Sequence, residues 1–418
     1  MPEVAKKEAK TVYKFFSAFL KWLIIAGLTG AVGGVVGSVF NISVARATAL
    51  REANPWLLFL LPAGGIVIAA IYHFTKMENV NTNTLIDSVH LGEKVPVILV
   101  PVIFLGTVIT HICGGSAGRE GAALQIGGGI GGSVGQLFRL DEKDMRLATL
   151  CGMSAVFSAL FGTPLTAALF ALEVISVGVF YYSGLVPCIV SAVTAYGVSR
   201  LFGIAPTRFI VTFLPLNADL LWRVAVMAIL CAIMSSVFCL VMHGMDFLAE
   251  RYLKNKFFRA AIGGVIVLGL TWLVGTTDYN GAGVGPITDA IEKGIAIPDA
   301  FLWKLLFTAI SLGCGFRGGE VVPTFFVGAT LGCVVGPILG IPAGFAAAVG
   351  LVAVFCGAVN CPIASIVLSI ELFGSVELTY FAVACGIAYM LSGYFGIYRS
   401  QKILYSKIRP EYINIQAK

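Results

Sequence analysis

Two short stretches of sequence, two hundred positions apart, decide the fold: Gly115-Ser-Ala-Gly-Arg-Glu120 and Gly315-Phe-Arg-Gly-Gly-Glu320. In each stretch the first and fourth residues are glycine and the last residue is glutamate. A further glycine also matches later in each half. A second block repeats at almost the same offset, since Gly152, Pro164 and Glu173 correspond to Gly350, Pro362 and Glu371. Matching residues at fixed internal spacing indicate two related halves. We therefore predict a first repeat over 15–210 and a second over 211–400.

The composition indicates a membrane protein. Of the 418 residues, 58% are hydrophobic and only 12% are charged, whereas soluble domains carry about 25% charged residues. The mean hydropathy is +0.92. A soluble core cannot absorb this much apolar surface, so lipid must act as the second solvent. The 49 glycines fit this interpretation, because glycine lets membrane helices approach closely or break.

The apolar runs have uneven lengths. The runs 148–175 and 363–396 are too long for one straight span of roughly 20 residues, and 301–314 is too short. Glycine and proline interrupt many of them. This pattern predicts an all-α membrane fold with tilted, broken and re-entrant helices, whose irregular backbone is buried in protein or lines a polar cavity. The ten cysteines show no paired spacing, and we interpret them as small buried hydrophobic residues.

Basic residues cluster at both ends of the chain. Because basic flanks favour the cytoplasm, we expect both termini inside, with an N-terminal tail over 1–14 and a C-terminal tail over 401–418. The first apolar run is too long for a cleaved signal peptide. The basic residues concerned are Lys6, Lys7, Lys10, Lys14, Arg399, Lys402, Lys407 and Arg409.

The repeated glycine turn carries the predicted chemistry. A helix that starts just after such a turn presents free N–H groups and the positive end of its dipole, which bind anions. Glu120 and Glu320 lie at these two points, and carboxylates inside a membrane are costly and usually functional. A glutamate there can exchange a proton as an anion displaces it. The alternative is a carboxylate that only caps its helix. For Arg119 and Arg317 we favour structural anchoring on backbone carbonyls.

Here the sequence resembles a known family. Gly118-Arg-Glu-Gly121 is similar to the GREGP element of CLC chloride channels and transporters, and Gly162-Thr-Pro164 through Glu173 follows the same pattern. Gly318-Gly-Glu-Val-Val-Pro323 stands where that family has its GxFxP element. The resemblance covers about 20–400. It implies the CLC fold of two inverted-topology repeats and a homodimer, whereas the repeat itself leaves inverted or parallel topology open.

The resemblance also implies roles for individual residues. Glu120 corresponds to the external gating glutamate, and Glu320 and Val321 contribute to the central anion site. Tyr398 resembles the central tyrosine whose hydroxyl donates to the anion, with Tyr405 as the runner-up. The anion-binding residues expected on this basis are Gly118, Arg119, Gly319, Glu320, Val321, Tyr398, Asn81 and Asn83.

Three departures from the chloride-transporting pattern point to the fluoride/proton antiporter branch of the family. The serine-bearing GSGxP element is replaced by Asn79-Val-Asn-Thr-Asn83, in a register that leaves Val80, Asn81 or Asn83 open. Val174 stands where chloride/proton exchangers have an inner proton-transfer glutamate. Glu320 occupies a position that is apolar in chloride transporters. Fluoride is a strong hydrogen-bond acceptor, which a protonated Glu320 or the Asn81 and Asn83 amides would satisfy.

We therefore expect a proton-coupled fluoride exporter, with a chloride/proton exchanger or a passive anion channel of the same fold as alternatives. The expected partners are fluoride or chloride, protons and membrane lipid, without nucleic acid, in a bacterial inner membrane. The repeat and its glutamates give little support to a membrane-embedded enzyme or scaffold. No P-loop, dinucleotide fingerprint, zinc pair or catalytic triad is visible, so we expect ion gradients to drive transport. We expect no cofactor and no metal, and structural or interfacial roles for His73, His90, His111 and His243.

Overall fold

The computed structural model describes residues 2–92, 95–212, 214–374 and 377–418. Helices dominate in both halves. The first half contains α1 (Pro2–Ala53), a 3-10 turn (Pro55–Leu60), α2 (Leu61–Phe74), α3 (Thr82–Leu91), α4 (Leu99–Cys113), α5 (Glu120–Leu137), α6 (Glu142–Phe161), α7 (Pro164–Glu173) and α8 (Leu185–Leu201). The second half contains α9 (Ala218–Tyr252), α10 (Lys256–Val274), α11 (Val284–Thr288), α12 (Ala300–Gly313), α13 (Val321–Ile338), α14 (Ala343–Val359), α15 (Pro362–Phe373) and α16 (Leu378–Leu391).

The helices differ widely in length, as the sequence predicts. Among the described residues, seven helices are long and apolar enough to cross a membrane. The 35 residues of α9 extend for about 52 Å, well beyond the roughly 30 Å of a bilayer's hydrocarbon core, so a fully buried α9 must tilt. The ten residues of α7 extend for only about 15 Å and cannot cross it. These features confirm the prediction of an all-α membrane fold with tilted and broken helices.

The long apolar runs break where the backbone turns left-handed. Gly162 ends α6 with φ +70°, and a Cβ there would lie 2.6 Å from Pro206. Pro164 then starts α7 with a preset backbone angle. The second repeat uses the same device, since Asn360 ends α14 with φ 58° and Pro362 starts α15. Each repeat thus divides an apolar run into two helices.

Backbone-to-backbone packing holds each repeat together. At the crossing of α5 and α6, a Cβ on Gly152 would collide with the Gly127 carbonyl and lie 2.6 Å from the Gly131 nitrogen. At the crossing of α13 and α14, a Cβ on Gly350 would collide with the Gly328 carbonyl. Such contacts replace a hydrophobic driving force between helices in lipid. They explain why the glycines recur at matching positions.

The two repeats are inverted. The turns before α5 and α13 pair through an isolated antiparallel bridge between Gly118 and Gly319. An antiparallel bridge between equivalent turns has two-fold symmetry, and it places the N-termini of α5 and α13 head to head. The two helix N-termini therefore meet where the repeats join.

The C-terminal segment is more ordered than a tail. Residues Lys402–Tyr405 form β2 and Tyr412–Gln416 form β3, an antiparallel pair, and β2 also pairs in parallel with Ser176–Val177, the strand β1. Gln401 anchors this sheet by donating to the carbonyls of Val174 and Val359, at 3.1 and 2.9 Å. The sequence does not predict this sheet, because its strands are short and gain stability only from contact with the helical body.

The N-terminal tail expected over 1–14 is not a separate segment. Residues 2–14 belong to α1, which continues without a break to Ala53. Its first turns are polar and lysine-rich, whereas its apolar part starts near Phe15. The composition therefore predicts where the chain becomes apolar, but it does not predict where the helix begins.

All ten cysteines are buried and free, so the prediction that they act as small buried hydrophobic residues is confirmed. Two of them fill space beside glycines: a Cβ on Gly64 would lie 2.5 Å from the Cys113 sulfur, and a Cβ on Gly263 would collide with Cys314. A larger side chain in place of either cysteine would force the paired helices apart.

We expect Gly152→Val to destabilise the protein strongly, because its branched side chain has to enter the space of the Gly127 backbone. Overpacking of this kind costs about 3 kcal/mol. Gly269→Val is the matched control, since it also adds valine within a membrane helix but meets nothing within 4 Å. Thermal unfolding in detergent should show a clear loss for the first variant only. Equal melting temperatures would contradict the close crossing of α5 and α6.

Candidate functional site

Two glycine turns form the centre of the candidate site. The Gly118 N–H donates to the Gly319 carbonyl at 2.7 Å, and the Gly319 N–H donates back to the Gly118 carbonyl at 2.9 Å. A Cβ on Gly118 would collide with the Glu120 carboxylate. The structure thus commits both amides, which were predicted to bind the anion, to each other. Gly118 and Gly319 therefore contribute to the site by fixing the shape of the two turns.

Glu120 is fully buried at the start of α5. Its Oε2 accepts from the Arg119 N–H at 2.9 Å and from the Val322 N–H at 3.3 Å. Its Oε1 is buried without a partner. The Glu120 carboxylate therefore does not only cap its own helix, since it also lies on the N-terminus of α13 in the other repeat. A negative group in this position replaces an anion bound at that helix.

Glu320 is the residue that precedes α13. It makes no capping hydrogen bond, and its Oε2 is buried without a partner. A Cβ on Gly121 would lie 3.2 Å from this oxygen, so the carboxylate points toward the start of α5. The capping alternative does not describe Glu320. Val321, the next residue, is fully buried as the first residue of α13.

A polar cavity of about 300 Å³ is lined by Glu320 and not by Glu120, and we call it the vestibule. Its walls are the N-terminus of α3, the C-terminal turns of α9, the turn Gly315–Glu320 and the segment Ile397–Arg399. Tyr398 is 2% exposed, and its hydroxyl has no partner. Tyr405, the runner-up, lies in β2 with its ring against Tyr412. The structure therefore brings Tyr398, and not Tyr405, to the site.

The segment that replaces the serine element also reaches the vestibule. Asn81 is the N-cap of α3, with Oδ1 accepting from the Thr84 N–H at 3.1 Å. Asn83 accepts through Oδ1 from the Ser400 N–H, also at 3.1 Å. Both residues line the vestibule. Because their carbonyl oxygens are the bonded atoms, their amide groups can act as donors, and α3 adds a third helix N-terminus to the site.

The two arginines beside the glutamates point away from the centre. Arg119 donates to the Asn41 side chain at 2.7 Å. Arg317 places its guanidinium over the Tyr72 ring, 3.9 Å from the centroid. The expected anchoring on backbone carbonyls was wrong for both, because an amide oxygen and an aromatic ring are the groups that these helix faces present. The direct role of Arg119 toward an anion stays a prediction.

Position 174 provides no proton-transfer group. Val174 is fully buried, and its carbonyl accepts from Gln401. The adjacent Glu173 binds the N-terminus of α15, with Oε1 accepting from Ile363 at 3.1 Å and Oε2 from Ala364 at 2.8 Å. Glu173 is thus occupied by a helix N-terminus, and it does not replace the missing inner glutamate.

Glu371, the repeat partner of Glu173, makes the reciprocal contact. Its two oxygens accept from the Leu165 and Thr166 N–H groups of α7, at 3.0 and 2.8 Å. The two carboxylates join the repeats a second time, in addition to the glycine bridge. Sequence reasoning used both residues only to detect the repeat. The signal was an acidic residue repeated in the last turn of a Pro-initiated helix, where the helix dipole disfavours negative charge unless the carboxylate finds a partner elsewhere.

A buried lysine on the other side of the glycine turns was also missed. Lys304 is fully buried within α12 and donates to the carbonyls of Tyr279 and Gly281, at 3.1 and 2.7 Å. Gly281 in turn pairs with the backbone of Gly115 and Ala117. Lys304 therefore supports the turn that presents Glu120. A single lysine inside the apolar run 301–314 was the available signal.

The histidines lie apart from one another. His111 contacts the Thr107 carbonyl at 2.9 Å, and His243 contacts the Ile397 carbonyl at 3.0 Å. His73 pairs with Glu78 in the loop before α3. Lys256, 2.7 Å from Glu78, and then His73 hold the pKa of the Glu78 carboxyl below its usual range. Glu78 thus stays ionised at the mouth of the vestibule.

The fold and the site together define a multi-pass membrane protein whose repeats meet at a buried polar centre. A family model described as "Voltage gated chloride channel" matches residues 64–393. A "Chloride/fluoride channel protein" of Pseudomonas syringae pv. tomato is 37% identical, covering 93% of this chain and 87% of that protein. The chain belongs to the voltage gated chloride channel family, the CLC family.

Solved structures agree with this assignment. The crystal structure of a CLC-type fluoride/proton antiporter is 30% identical, with a TM-score of 0.88, covering 91% of this chain and 98% of the other. A slow cyanobacterial Cl⁻/H⁺ antiporter is 20% identical, with a TM-score of 0.76, covering 89% and 94%. The second likeness concerns the fold alone. The predicted CLC fold of two inverted repeats is confirmed.

We expect Glu173→Ala to destabilise the protein by about 1–3 kcal/mol, because two N–H groups of α15 lose their acceptor. Glu173→Gln should cost less, since its amide oxygen can still accept one of the two bonds. Glu411→Ala, at an exposed glutamate of the C-terminal segment, serves as the control. In thermal unfolding, Glu173→Ala should melt at the lowest temperature, Glu173→Gln at an intermediate temperature and Glu411→Ala at the highest. A Glu173→Ala protein as stable as the control would show that the cap contributes nothing.

Proposed function

We propose that this protein is a fluoride/proton antiporter that removes fluoride from the cytoplasm. Its CLC membership, the related protein named a chloride/fluoride channel protein and the related fluoride/proton antiporter structure support this proposal. Glu320 supports it from within the chain, since it places a second carboxyl group beside the gate at a position that is apolar in chloride transporters. Ion gradients, and not a cofactor, drive the transport.

One observation carries the proposal: the Glu120 carboxylate lies on the N-terminus of α13 while Glu320 holds an unpartnered oxygen next to the start of α5. A carboxylate on the anion-binding amides competes with the anion. Protonation removes the charge of Glu120 and weakens its hold on the Val322 N–H. An anion then takes its place, so each anion step is linked to a proton step.

The donor set of the site suits fluoride. Fluoride is small and strongly hydrated, so its dehydration requires strong hydrogen-bond donors. The vestibule offers the Tyr398 hydroxyl, the Asn81 and Asn83 amides and the helix N-terminus of α3. A protonated Glu320 adds an O–H donor and becomes a carboxylate when its proton leaves. We infer that Glu320 binds fluoride in its protonated form and carries the proton onward.

The assembly and the orientation belong to the same proposal. We infer a homodimer with one pathway in each subunit, in a bacterial inner membrane, with both termini in the cytoplasm. The vestibule then opens to the cytoplasm, since it lies beside the C-terminal segment. We also propose that the two repeats span 15–210 and 211–400, so that α9 is the first helix of the second repeat.

The proposal predicts that liposomes containing the purified protein take up protons when a fluoride gradient is applied. An outward fluoride gradient should acidify the liposome interior, and chloride at the same gradient should do so far more weakly. Fluoride flux without proton movement would indicate a passive channel instead. Faster proton uptake with chloride than with fluoride would indicate a chloride/proton exchanger.

We expect Glu120→Gln to abolish proton coupling, because a neutral amide cannot bind and release a proton. Proton uptake should fall to the level of empty liposomes, a loss of about 100-fold or more, as is typical when a proton-transfer group is removed. Glu142→Gln, at an exposed glutamate that starts α6, is the control. If proton-driven fluoride flux survives in the Glu120→Gln variant, then Glu120 does not have the coupling role assigned to it.

Glu320→Ala should reduce both the preference for fluoride over chloride and the transport rate, because the variant lacks the second donor and its proton. Parallel fluoride and chloride fluxes in liposomes measure both quantities. Unchanged selectivity together with an unchanged rate would disprove the role of Glu320.

A further inference from the structure

The proposed antiport leaves a gap on the cytoplasmic side of Glu320. In the inward direction a proton passes Glu120 and Glu320 and then has to reach water. Val174 cannot carry it, and Glu173 is bound to two backbone amides of α15. The vestibule is the polar space that adjoins Glu320, so a group that accepts the proton has to lie in its wall.

Two carboxylates lie one above the other in that wall. Asp246 and Glu250 are one turn apart on the face of α9 that lines the vestibule, separated by about 6 Å along the helix axis. Glu250 lies at the mouth, two residues before the end of α9 at Tyr252. Asp246 lies deeper, and Gly313 makes room for it, since a Cβ on Gly313 would lie 3.3 Å from Asp246 Oδ1.

Asp246 differs from Glu78, a further carboxylate in the wall. Glu78 is held in ion pairs by Lys256 and His73. Within the described ranges, neither Asp246 nor Glu250 forms an ion pair. A carboxylate that exchanges protons has to remain accessible to water and unbound, and Asp246 is exposed to the vestibule.

We propose that Asp246 is the group that transfers protons between Glu320 and the cytoplasmic water, with Glu250 as the exit at the mouth. This proposal rests on the proposed antiport function and assigns its inner proton route. The route shares the vestibule with the anion, whereas an inner glutamate at position 174 would have provided a separate branch.

The proton balance is simple. Protonated Glu320 gives its proton through cavity water to the Asp246 carboxylate and becomes a carboxylate itself. Asp246 then releases the proton to water at the mouth and returns to its ionised form. One proton enters and one leaves, and only O–H bonds break and form. The vestibule volume of about 300 Å³ has room for about ten water molecules, which is enough for a connected chain.

The charges around Asp246 allow an anion to share this space. When Glu320 is protonated, three guanidinium groups balance the three remaining carboxylates of the vestibule, so it carries no net negative charge that would repel fluoride. The guanidinium groups come from different elements: one from α10, one from the turn before α13 and one from the segment after α16. The titratable and charged groups that share the vestibule with Asp246 are His243, Glu250, Arg259, Arg317, Glu320, Tyr398, Arg399 and Glu78.

The test uses full-length protein in liposomes, with fluoride efflux and proton uptake recorded together. We expect Asp246→Asn to lower coupled proton uptake by about tenfold or more, since proton-transfer groups contribute factors of this size. Asp246→Glu should restore it. The dependence of the rate on the pH of the vestibule side should flatten in Asp246→Asn only. Asp219→Asn, at the far end of α9, should match the parent protein.

A second variant separates proton transfer from folding. Asp246→Cys can be modified with a carboxylate-bearing or with a neutral methanethiosulfonate reagent after the protein has folded. Only the carboxylate reagent should restore proton uptake. The parent protein is the control for the reagents, because its ten native cysteines are all buried.

The outcomes separate the two proposals. No fluoride-driven proton uptake by the parent protein would defeat the antiport function itself. Normal coupling in the parent with the same coupling ratio and pH profile in Asp246→Asn would overturn the assignment of Asp246 and leave the antiport function intact. Equal rescue of Asp246→Cys by the neutral reagent would also overturn it, since packing rather than proton transfer would then explain the loss.

Discussion

The paired backbone hydrogen bonds between Gly118 and Gly319 are the interaction on which the rest of the structure depends. They join the two repeats at one point and hold the N-termini of α5 and α13 head to head. Two positive helix ends in one apolar place require negative charge between them. Glu120 supplies it in the state described here, and an anion can supply it in its place. The site therefore follows from backbone geometry.

The placement of the fixed cations complements this geometry. Arg119 is turned to Asn41, Arg317 to Tyr72 and Lys304 to loop carbonyls. Each supports a wall of the pathway without contacting its centre. A fixed cation at the centre would bind an anion tightly and slow its release, whereas helix N-termini and hydroxyl or amide donors bind it more weakly. The same centre can then bind and release an anion in each cycle.

Much of the fold could be predicted from sequence, because the features concerned are local or repeated. Low charge and long apolar runs require a bilayer, and the repeated glycine turns predict two equivalent halves. Gly162 ends one helix and Pro164 starts the next, and this local pairing of a C-terminal glycine with an N-terminal proline predicts the break. Glu120 and Glu320 were brought to one place as expected, because equivalent positions of two repeats meet at their interface.

The sequence by itself determined the membrane class, the two repeats and the acidic pair. Only the tertiary structure decided which partner each polar group finds: Asn41 for Arg119, the α15 amides for Glu173, and the vestibule for Asp246. It also decided that 401–418 forms a sheet and that 2–14 continues α1. The physical reason is that composition and spacing report the cost of burying a group, whereas its partner depends on segments far away in the chain that folding brings into contact.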